Sequence, residues 1–339
     1  MPNLTTLLVL LPTLLLLGCH SSTQITGDTL VLPAAQPGNL LYTHIDPASL
    51  HVHSMTATYA PSDYTLDPIA GTLARTPNSQ IPDYSKNSLY NQKDFDHSHF
   101  PGYGNTAYTI YLDYKTTDPA ARQPLSPPTD VSALLPHAAQ LLHSGEPLKL
   151  IAYGDSITAG GEATSVNRQF PSLYADYLRH EFPKSTITLE NTATGGDTTA
   201  NGIARLSEKV LSHHPDLVLV AFGMNDHNIP GFGTPLPQFT ANLTIIVNTI
   251  KSQTHADVIL LSCFPPNPNW HFGSHNMAAY AHATQTVAAQ THCAYADVYA
   301  TFEKVLARKD VPSLLGNNIN HPNNFGHYLY LQTLESLHF

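Results

Sequence analysis

The second half of the chain alternates between continuous apolar runs and amphipathic stretches. Residues 217–222 are apolar at every position, as a strand of a parallel sheet covered on both faces requires. Strands are predicted at residues 148–153, 186–190, 216–222, 257–264 and 294–298. Helices are predicted at residues 168–182, 201–213, 238–254, 277–292 and 324–337. Residues 148–339 should therefore form a five-stranded parallel sheet in a three-layer α/β/α, flavodoxin-like domain, with its site at the carboxyl ends of the strands.

The first half has a different texture, in which short alternating stretches are separated by turns rich in Pro, Gly and Asn. Strands are predicted at residues 29–32, 49–53, 55–59, 72–75 and 108–114. Many short strands with frequent turns indicate an all-β, sandwich-like accessory domain over residues 25–116. Residues 117–147 combine a proline-rich stretch with a short helix predicted from residue 130 to about residue 143, and are interpreted as a linker.

Composition and charge narrow the possible partners. The 339 residues are 42% apolar, which is enough for two packed cores. The net charge is −10 with histidines neutral, and the 15 Lys and Arg residues form no basic run. Nucleic-acid binding requires clustered positive charge, so nucleic acid is not expected as a partner.

The amino terminus has the pattern of an export signal. Residues 7–17 are almost wholly apolar, too short to cross a bilayer, which takes about 20 residues, but typical of the apolar region of a signal peptide over residues 1–18. The sequence Leu16-Leu17-Gly18-Cys19 resembles a bacterial lipobox. That resemblance implies a lipid on Cys19, a tether over residues 19–24, and an exported, membrane-anchored protein in the periplasm or at the cell surface. A plain secretory signal with a chance cysteine is the alternative.

The two other cysteines, Cys263 and Cys293, fall near neighbouring predicted strands. Cys263 lies at the carboxyl end of its strand and Cys293 just before the start of the next, so parallel strands place them at opposite ends of the sheet. That separation exceeds the ~7 Å over which two Cα atoms can be bridged by a disulfide. Both are predicted to be buried, unpaired and structural.

Four polar segments follow predicted strands or precede the last helix: residues 154–158, 191–198, 223–226 and 318–323. Acyl transfer explains this set, because a serine hydroxyl needs an adjacent base and donors where the carbonyl oxygen gains charge. Ser156 offers the hydroxyl, and His321 can remove its proton. The main-chain N–H groups of Ser156 and Gly196, with the side-chain amide of Asn225, are predicted to form the oxyanion hole.

The order Gly-Asp-Ser, Gly, Gly-x-Asn-Asp and His-Pro-Asn over residues 148–339 resembles the SGNH/GDSL hydrolases. Ser156, Gly196, Asn225 and His321 match the four residues of that family name. The resemblance implies a serine esterase or deacylase that forms an acyl-enzyme and needs no metal or cofactor. The preferred hypothesis is a carbohydrate O-deacetylase. It rests on analogy with the family and on the additional β-rich region, which resembles accessory domains of carbohydrate esterases. Alternatives are a lipase- or thioesterase-type acyl hydrolase, and a non-catalytic glycan-binding lipoprotein with a degenerate triad.

One position departs from the family pattern. The family usually has an Asp three residues before the catalytic histidine, and here that position is Asn318. An asparagine carbonyl can still accept the Nδ1–H bond of an imidazole, so Asn318 is predicted to orient His321. The alternatives are Asp310 or a main-chain carbonyl in that role, or a simple Ser–His dyad.

Further residues near the predicted site are candidates for substrate binding. Asp155 adjoins Ser156, and Asp226 adjoins Asn225. Both can contact the substrate, and the alternative is that they support the local turns. Trp270 follows the fourth strand on the same side and can stack on a sugar ring or pack in the core. Residues 94–99 contain ligand types for a metal, but are interpreted as a solvated loop, so no metal site is expected.

Overall fold

The structure, a computed structural model, describes residues 22–339; the predicted signal peptide and Cys19 lie outside the described residues. The strands are β1 Thr23–Leu30, β2 Gly38–Asn39, β3 His51–His53, β4 Thr58–Tyr59, β5 Tyr64–Asp67, β6 Thr72–Arg75, β7 Ile110–Thr116, β8 Thr129–Asp130, β9 Leu148–Gly154, β10 Ile187–Asn191, β11 Leu217–Ala221, β12 Asp257–Leu261, β13 Ala294–Ala296 and β14 Leu337–His338. The helices are α1 Pro136–Ser144, α2 Phe170–Glu181, α3 Thr199–Lys209, α4 Leu236–Gln253, α5 Met277–Thr291, α6 Val298–Leu306 and α7 Asn324–Glu335.

A five-stranded parallel sheet in the order β10-β9-β11-β12-β13 organises the second half. Strands β11 and β12 are buried at every position because helices cover both faces. Helices α3, α4 and α5 pack in one group, and α2, α6 and α7 in another. The predicted α/β/α fold class is confirmed. Among residues 22–339, none of the helices is long and apolar enough to cross a membrane.

The N-terminal region is built from two small antiparallel sheets, β1-β7-β3-β4 and β2-β6-β5. Their inward side chains share one core, formed by Leu30, Leu32, Leu40, Tyr42, Ile45, Val52, Tyr59, Leu73, Ile81, Ile110, Leu112 and Tyr114. This arrangement agrees with the predicted β-rich region. The boundaries at residues 25, 117 and 148 stay predictions.

Several elements differ from the sequence-based expectation, and the short strands β2 and β5 are among those not predicted. Asp130 was expected to begin a helix, but it lies in β8, which pairs with β14 near the chain end. Helix α1 begins instead at Pro136, whose missing N–H suits a first helical position. Helix α6 was not predicted, because its first residue, Val298, was assigned to the preceding strand.

The two regions meet at the loop between α6 and α7, which carries His321. In this contact the carboxylate of Asp28 lies 2.7 Å from the ammonium of Lys309, and both side chains are completely buried. The side-chain amide of Asn105 donates to the carbonyl of Pro312 at 3.0 Å. The N-terminal region therefore supports the loop that presents His321.

Cys263 and Cys293 are both buried and unpaired, as predicted. Burial raises the pKa of each thiol. Raised pKa values keep both thiols protonated at neutral pH, which suits a structural role rather than a reactive one.

Candidate active site

Ser156 stands just beyond the carboxyl end of β9. The strand ends at Gly154, where a Cβ atom would lie 2.2 Å from the carbonyl oxygen of Ala221. Glycine is therefore required for β9 to approach β11 this closely. The chain then turns, with the carboxylate of Asp155 accepting the N–H of Ile157 at 2.9 Å. This turn leaves Ser156 partly exposed at the edge of the sheet.

His321 is presented by a turn built on the side chain of Asn317. The Oδ1 atom of Asn317 accepts the main-chain N–H groups of Ile319, Asn320 and His321 at 2.9–3.0 Å. The Nε2 atom of His321 then lies 2.8 Å from the Oγ atom of Ser156. The structure thus brings the predicted base within hydrogen-bond reach of the predicted nucleophile.

The three predicted oxyanion donors lie on neighbouring loops. Gly196 has φ +80°, and a Cβ atom on its neighbour Gly195 would lie 3.8 Å from the Cβ of Ser156. Asn225 donates one amide hydrogen to the carbonyl of Asp197 at 2.9 Å, which leaves its second amide hydrogen for a ligand. Within residues 22–339, no acceptor is hydrogen-bonded to the main-chain N–H of Ser156 or Gly196. These donors can therefore serve a developing oxyanion.

The imidazole of His321 is in a low-polarity setting. Burial lowers its pKa to about 4. Within residues 22–339, no Asp or Glu carboxylate oxygen lies within 4.0 Å of the nitrogens of His321. At neutral pH the ring is uncharged, which is the form that can accept a proton from Ser156.

This pKa predicts an unusual pH profile. We expect kcat/KM for an uncharged ester to be level from neutral pH to about pH 5, and to fall at lower pH with a midpoint near 4. The sign follows because protonation of His321 removes the base. Circular dichroism at each pH separates titration from unfolding. A midpoint between pH 6 and 7, near the ordinary pKa of histidine, would contradict the prediction.

The predicted role of Asn318 is corrected by the structure. Its side-chain oxygen accepts the hydroxyl of Tyr84 at 2.9 Å, and its amide nitrogen faces Asn87 at 3.5 Å. Asn318 has a left-handed backbone, with φ +61°, and Tyr84 and Asn87 hold its amide, so it makes no hydrogen bond to His321. Asp310, the other candidate side chain, has no carboxylate oxygen within 4.0 Å of the imidazole nitrogens either. Within residues 22–339, Ser156 and His321 form a dyad.

Asp155 and Asp226 do not reach the substrate side, because both are completely buried. Burial raises the pKa of Asp155 to about 7, and its Oδ1 atom holds the turn after β9. Asp226 accepts both the N–H and the hydroxyl of Thr199 at the start of α3, the hydroxyl at 2.6 Å. The prediction that these two residues bind substrate is therefore wrong. They support the local structure instead, which was the alternative.

Trp270 is likewise corrected. Its side chain is only 5% exposed, and its Nε1–H donates to Nδ1 of His97 at 3.1 Å. Phe95, from the N-terminal region, pairs with it in a β-bridge, and Phe272 packs against it edge-on. A ring enclosed in this way cannot stack on a sugar. The loop of residues 94–99 is consequently a packing partner of Trp270.

His327 and Gly161 help to position His321, and neither was predicted from the sequence. His327 accepts the N–H of Phe170 at Nδ1 (3.4 Å), so its Nε2 carries the hydrogen and donates to the carbonyl of Gly161 at 3.1 Å. Gly161 in turn packs against the imidazole of His321, since a Cβ atom there would lie 3.1 Å from Nδ1. The sequence did carry one signal for this role, which is a histidine on the buried face of α7.

We expect Gly161→Ala to lower kcat/KM by roughly tenfold, because the added methyl group displaces His321 by a few tenths of an ångström, and a displacement of about 1 Å costs roughly 100-fold. The added methyl group would press on His321 and lie 3.0 Å from the carbonyl oxygen of Ser156. The φ of Gly161 is outside the left-handed region, so the melting temperature should change little. Gly104→Ala is the control, since its Cβ would meet a neighbour at 3.7 Å. Unchanged kcat/KM in Gly161→Ala would refute the packing argument.

Carboxylic ester hydrolase is the enzyme class that this fold and this constellation define. Residues 152–329 match the model of the GDSL-like lipase/acylhydrolase family. The chain belongs to this family. The matched segment includes Ser156, Gly196, Asn225 and His321.

Three curated relatives illustrate the range of similarity. The chain is 37% identical over 119 residues to an arylesterase from Vibrio mimicus, covering 35% of this chain and 56% of the relative. It is 26% identical over 201 residues to an acetylxylan esterase from Geobacillus stearothermophilus, covering 55% and 90%. It is 31% identical over 119 residues to thioesterase 1/protease 1/lysophospholipase L1 from Escherichia coli K12, covering 35% and 52%. The chain thus spans about half the length of two of these relatives.

Solved structures share the fold. A catalytic mutant of the acetylxylan esterase from Geobacillus stearothermophilus has a TM-score of 0.50 at 23% identity, over 57% of this chain and 94% of that one. A two-domain esterase active on acetylated mannans also has a TM-score of 0.50, at 21% identity, over 62% and 53%. At these identities the likeness concerns the fold alone.

Proposed function

We propose that this chain hydrolyses an ester through an acyl-enzyme on Ser156. The observation that carries the proposal is the 2.8 Å contact between Ser156 Oγ and His321 Nε2, at the sheet edge where Gly196 and Asn225 present amide donors. A nucleophile, its base and preorganised donors are the parts that acyl transfer needs. Asn318 is assigned no part in this chemistry.

In the first half-reaction, the oxygen of Ser156 attacks the carbonyl carbon while Nε2 of His321 takes the hydroxyl proton. The N–H groups of Ser156 and Gly196 and the amide of Asn225 stabilise the oxyanion of the tetrahedral intermediate. His321 then gives its proton to the leaving alcohol, and the acyl-enzyme remains. In the second half-reaction, His321 deprotonates a water, which attacks the acyl carbon, and the proton returns to Ser156 as the acid leaves.

The substrate we propose is an O-acetylated carbohydrate. Support comes from the acetylxylan esterase relative, of which 90% is covered by the alignment. The site is also open, since Gly196 is exposed and Ser156 is only half-buried, so an ester carried on a polymer can reach it. We include in this proposal that the N-terminal sheets act as an accessory region of a carbohydrate esterase.

A substrate panel tests this function. Acetate release from acetylated xylan and mannan is measured beside hydrolysis of p-nitrophenyl acetate, a long-chain p-nitrophenyl ester and an acyl thioester. We expect acetyl substrates to be preferred over the long-chain ester by at least tenfold in kcat/KM, with all turnover lost in Ser156→Ala. A long-chain or thioester preference would indicate a lipase or thioesterase. No turnover, together with no labelling by a fluorophosphonate probe, would indicate a glycan-binding protein.

We also propose that the protein is exported and anchored to a membrane by a lipid on Cys19. The support is the lipobox-like sequence Leu16-Leu17-Gly18-Cys19 after an apolar run. Mass spectrometry of the mature protein should find Cys19 as the first residue, with the added mass of acyl chains. An unmodified Cys19 would contradict the anchor and leave a plain secretory signal as the explanation.

A further inference from the structure

Three metal-ligand side chains meet on one face of the four-stranded N-terminal sheet. His51 and His53 lie two residues apart on β3, so their rings point to the same face. Asp113 on the neighbouring strand β7 is directly opposite His51 in the antiparallel register. The ligand atoms of the three residues all lie within 4.8 Å of one another. Within residues 22–339, this is the one such group of His, Cys, Asp or Glu side chains.

We infer that His51, His53 and Asp113 bind a divalent transition-metal ion of the Zn²⁺ type. The Oδ2 atom of Asp113 lies 3.6 Å from Nδ1 of His51 and 3.5 Å from Nε2 of His53. Both separations exceed the range of about 2.7–3.2 Å for a hydrogen bond. They match a tetrahedral zinc site, in which bonds of about 2.0–2.2 Å place two ligand atoms roughly 3.4 Å apart.

The surroundings already orient two of the three ligands. Nδ1 of His53 is 3.2 Å from the carbonyl oxygen of Ser54, so the hydrogen of the neutral ring sits on Nδ1 and the lone pair of Nε2 faces Asp113. The other carboxylate oxygen of Asp113 accepts the N–H of Gly27 at 2.8 Å. Gly27 has φ +73° at a bulge in β1, which aims its N–H at Asp113. Hydrogen bonds of this kind fix ring tautomer and ligand direction at metal sites.

Aromatic packing fixes the plane of the central ring. The ring of His53 lies between those of His51 and Tyr111, with centroids 4.9 Å and 5.6 Å away and interplanar angles of 25° and 23°. Tyr111 is opposite His53 on β7, so the stack follows from the strand register. The imidazole is therefore held in place before any ion binds, which lowers the entropy lost on binding.

The site lies on the wall of a cavity of about 820 Å³ between the N-terminal sheet and helices α2 and α7. His53 and Asp113 line this cavity on one side, and Arg168 and Tyr328 on the other. Three protein ligands leave the fourth position of zinc for a water or for an oxygen atom of a molecule in the cavity. Neither Ser156 nor His321 lines it, so this site is separate from the ester chemistry, for which no metal was expected.

Zinc binding to the untagged, chelator-treated full protein tests the inference, with Zn²⁺ alone as the probe in calorimetry and thermal unfolding. We expect one equivalent to bind and to raise the melting temperature by roughly 5 °C. His53→Gln and Asp113→Asn should each weaken Zn²⁺ binding at least tenfold, because loss of supporting hydrogen bonds alone costs about that much. Mg²⁺ at the same concentration should have no effect, since it prefers oxygen ligands.

Because the chain has 20 histidines, a matched control is essential. His271→Gln removes a ring of similar exposure that pairs with the single carboxylate of Asp94, at 2.8 Å, and should leave Zn²⁺ binding unchanged. Should His53→Gln fold poorly, His51→Gln replaces it, since that ring is 53% exposed. Zn²⁺ affinity that is equal in the wild type and in the folded ligand variants would overturn the inference, as would no uptake by the wild type. Either result would leave the cluster as a contact between histidine and carboxylate side chains that holds no metal ion.

Discussion

Replacing His321 by Gln is expected to lower kcat/KM for p-nitrophenyl acetate by at least about 10,000-fold. Glutamine has no basic nitrogen to accept the proton of Ser156. Ser156→Ala should cause a loss of similar size, because the two groups act as a unit through their 2.8 Å contact. The double variant should therefore be no slower than either single variant. Residual rate in all three would come from the amide donors and substrate binding alone.

Two control variants separate this loss from general damage. Ser252→Ala removes an exposed hydroxyl on α4, and His271→Gln removes a half-exposed ring; neither should change kcat/KM by more than about twofold. Melting temperatures show whether each variant is folded. His321→Gln that is folded and keeps more than about 1% of the wild-type kcat/KM would show that another group serves as the base.

Ser156, Gly196 and Asn225 were predictable as a group because each follows a different strand of the parallel sheet. In an open parallel sheet the loops after the strands converge at one edge, so Ser156, Gly196 and Asn225 had to lie close together. His321 comes from the last loop, which meets the same edge. The order of these segments along the sheet is set by the parallel sheet itself, and for that reason local patterns were sufficient to predict it.

The errors at the site have a common physical origin. Asn318 is held by Tyr84, which lies 234 residues away in the sequence, and Trp270 is covered by Phe95 from the same N-terminal region. Contacts between two regions leave no periodic signal in either one. The orientation of the Asn318 amide and the exposure of the Trp270 ring therefore could not be predicted from the spacing of residues in the sequence.

The fold shows the same division. Strand β11 was predicted because helices on both faces demand a run of apolar residues, whereas β2, which was not predicted, has only two residues and carries almost no pattern. Helix α6 did carry a local signal, since Asp297 accepts the N–H of Ala300 as an N-cap at 3.0 Å. The apolar residues before it were assigned to a longer strand, which hid that signal.

The N-terminal region should be essential for stability as well as for the site, and Asp28→Ala tests this. We expect the free energy of unfolding to fall by about 3–5 kcal/mol, because the variant leaves the buried ammonium of Lys309 without a negatively charged partner. The Oδ2 atom of Asp28 also accepts the N–H of Leu41 at 2.7 Å and the hydroxyl of Tyr114 at 2.9 Å. Urea unfolding measures the loss, and kcat/KM should fall with it because Lys309 lies in the loop that carries His321.

The matched control is an exposed ion pair. Asp176 lies 2.7 Å from Arg179 with both side chains largely in solvent, so Asp176→Ala should cost less than about 1 kcal/mol. A similarly small cost for Asp28→Ala would contradict the prediction. The double variant Asp28→Ala with Lys309→Met should be more stable than Asp28→Ala alone, because it removes the buried ammonium and leaves the N–H of Leu41 and the hydroxyl of Tyr114 as they are in the single variant. Such recovery would assign the loss to the unpaired ammonium rather than to the missing hydrogen bonds.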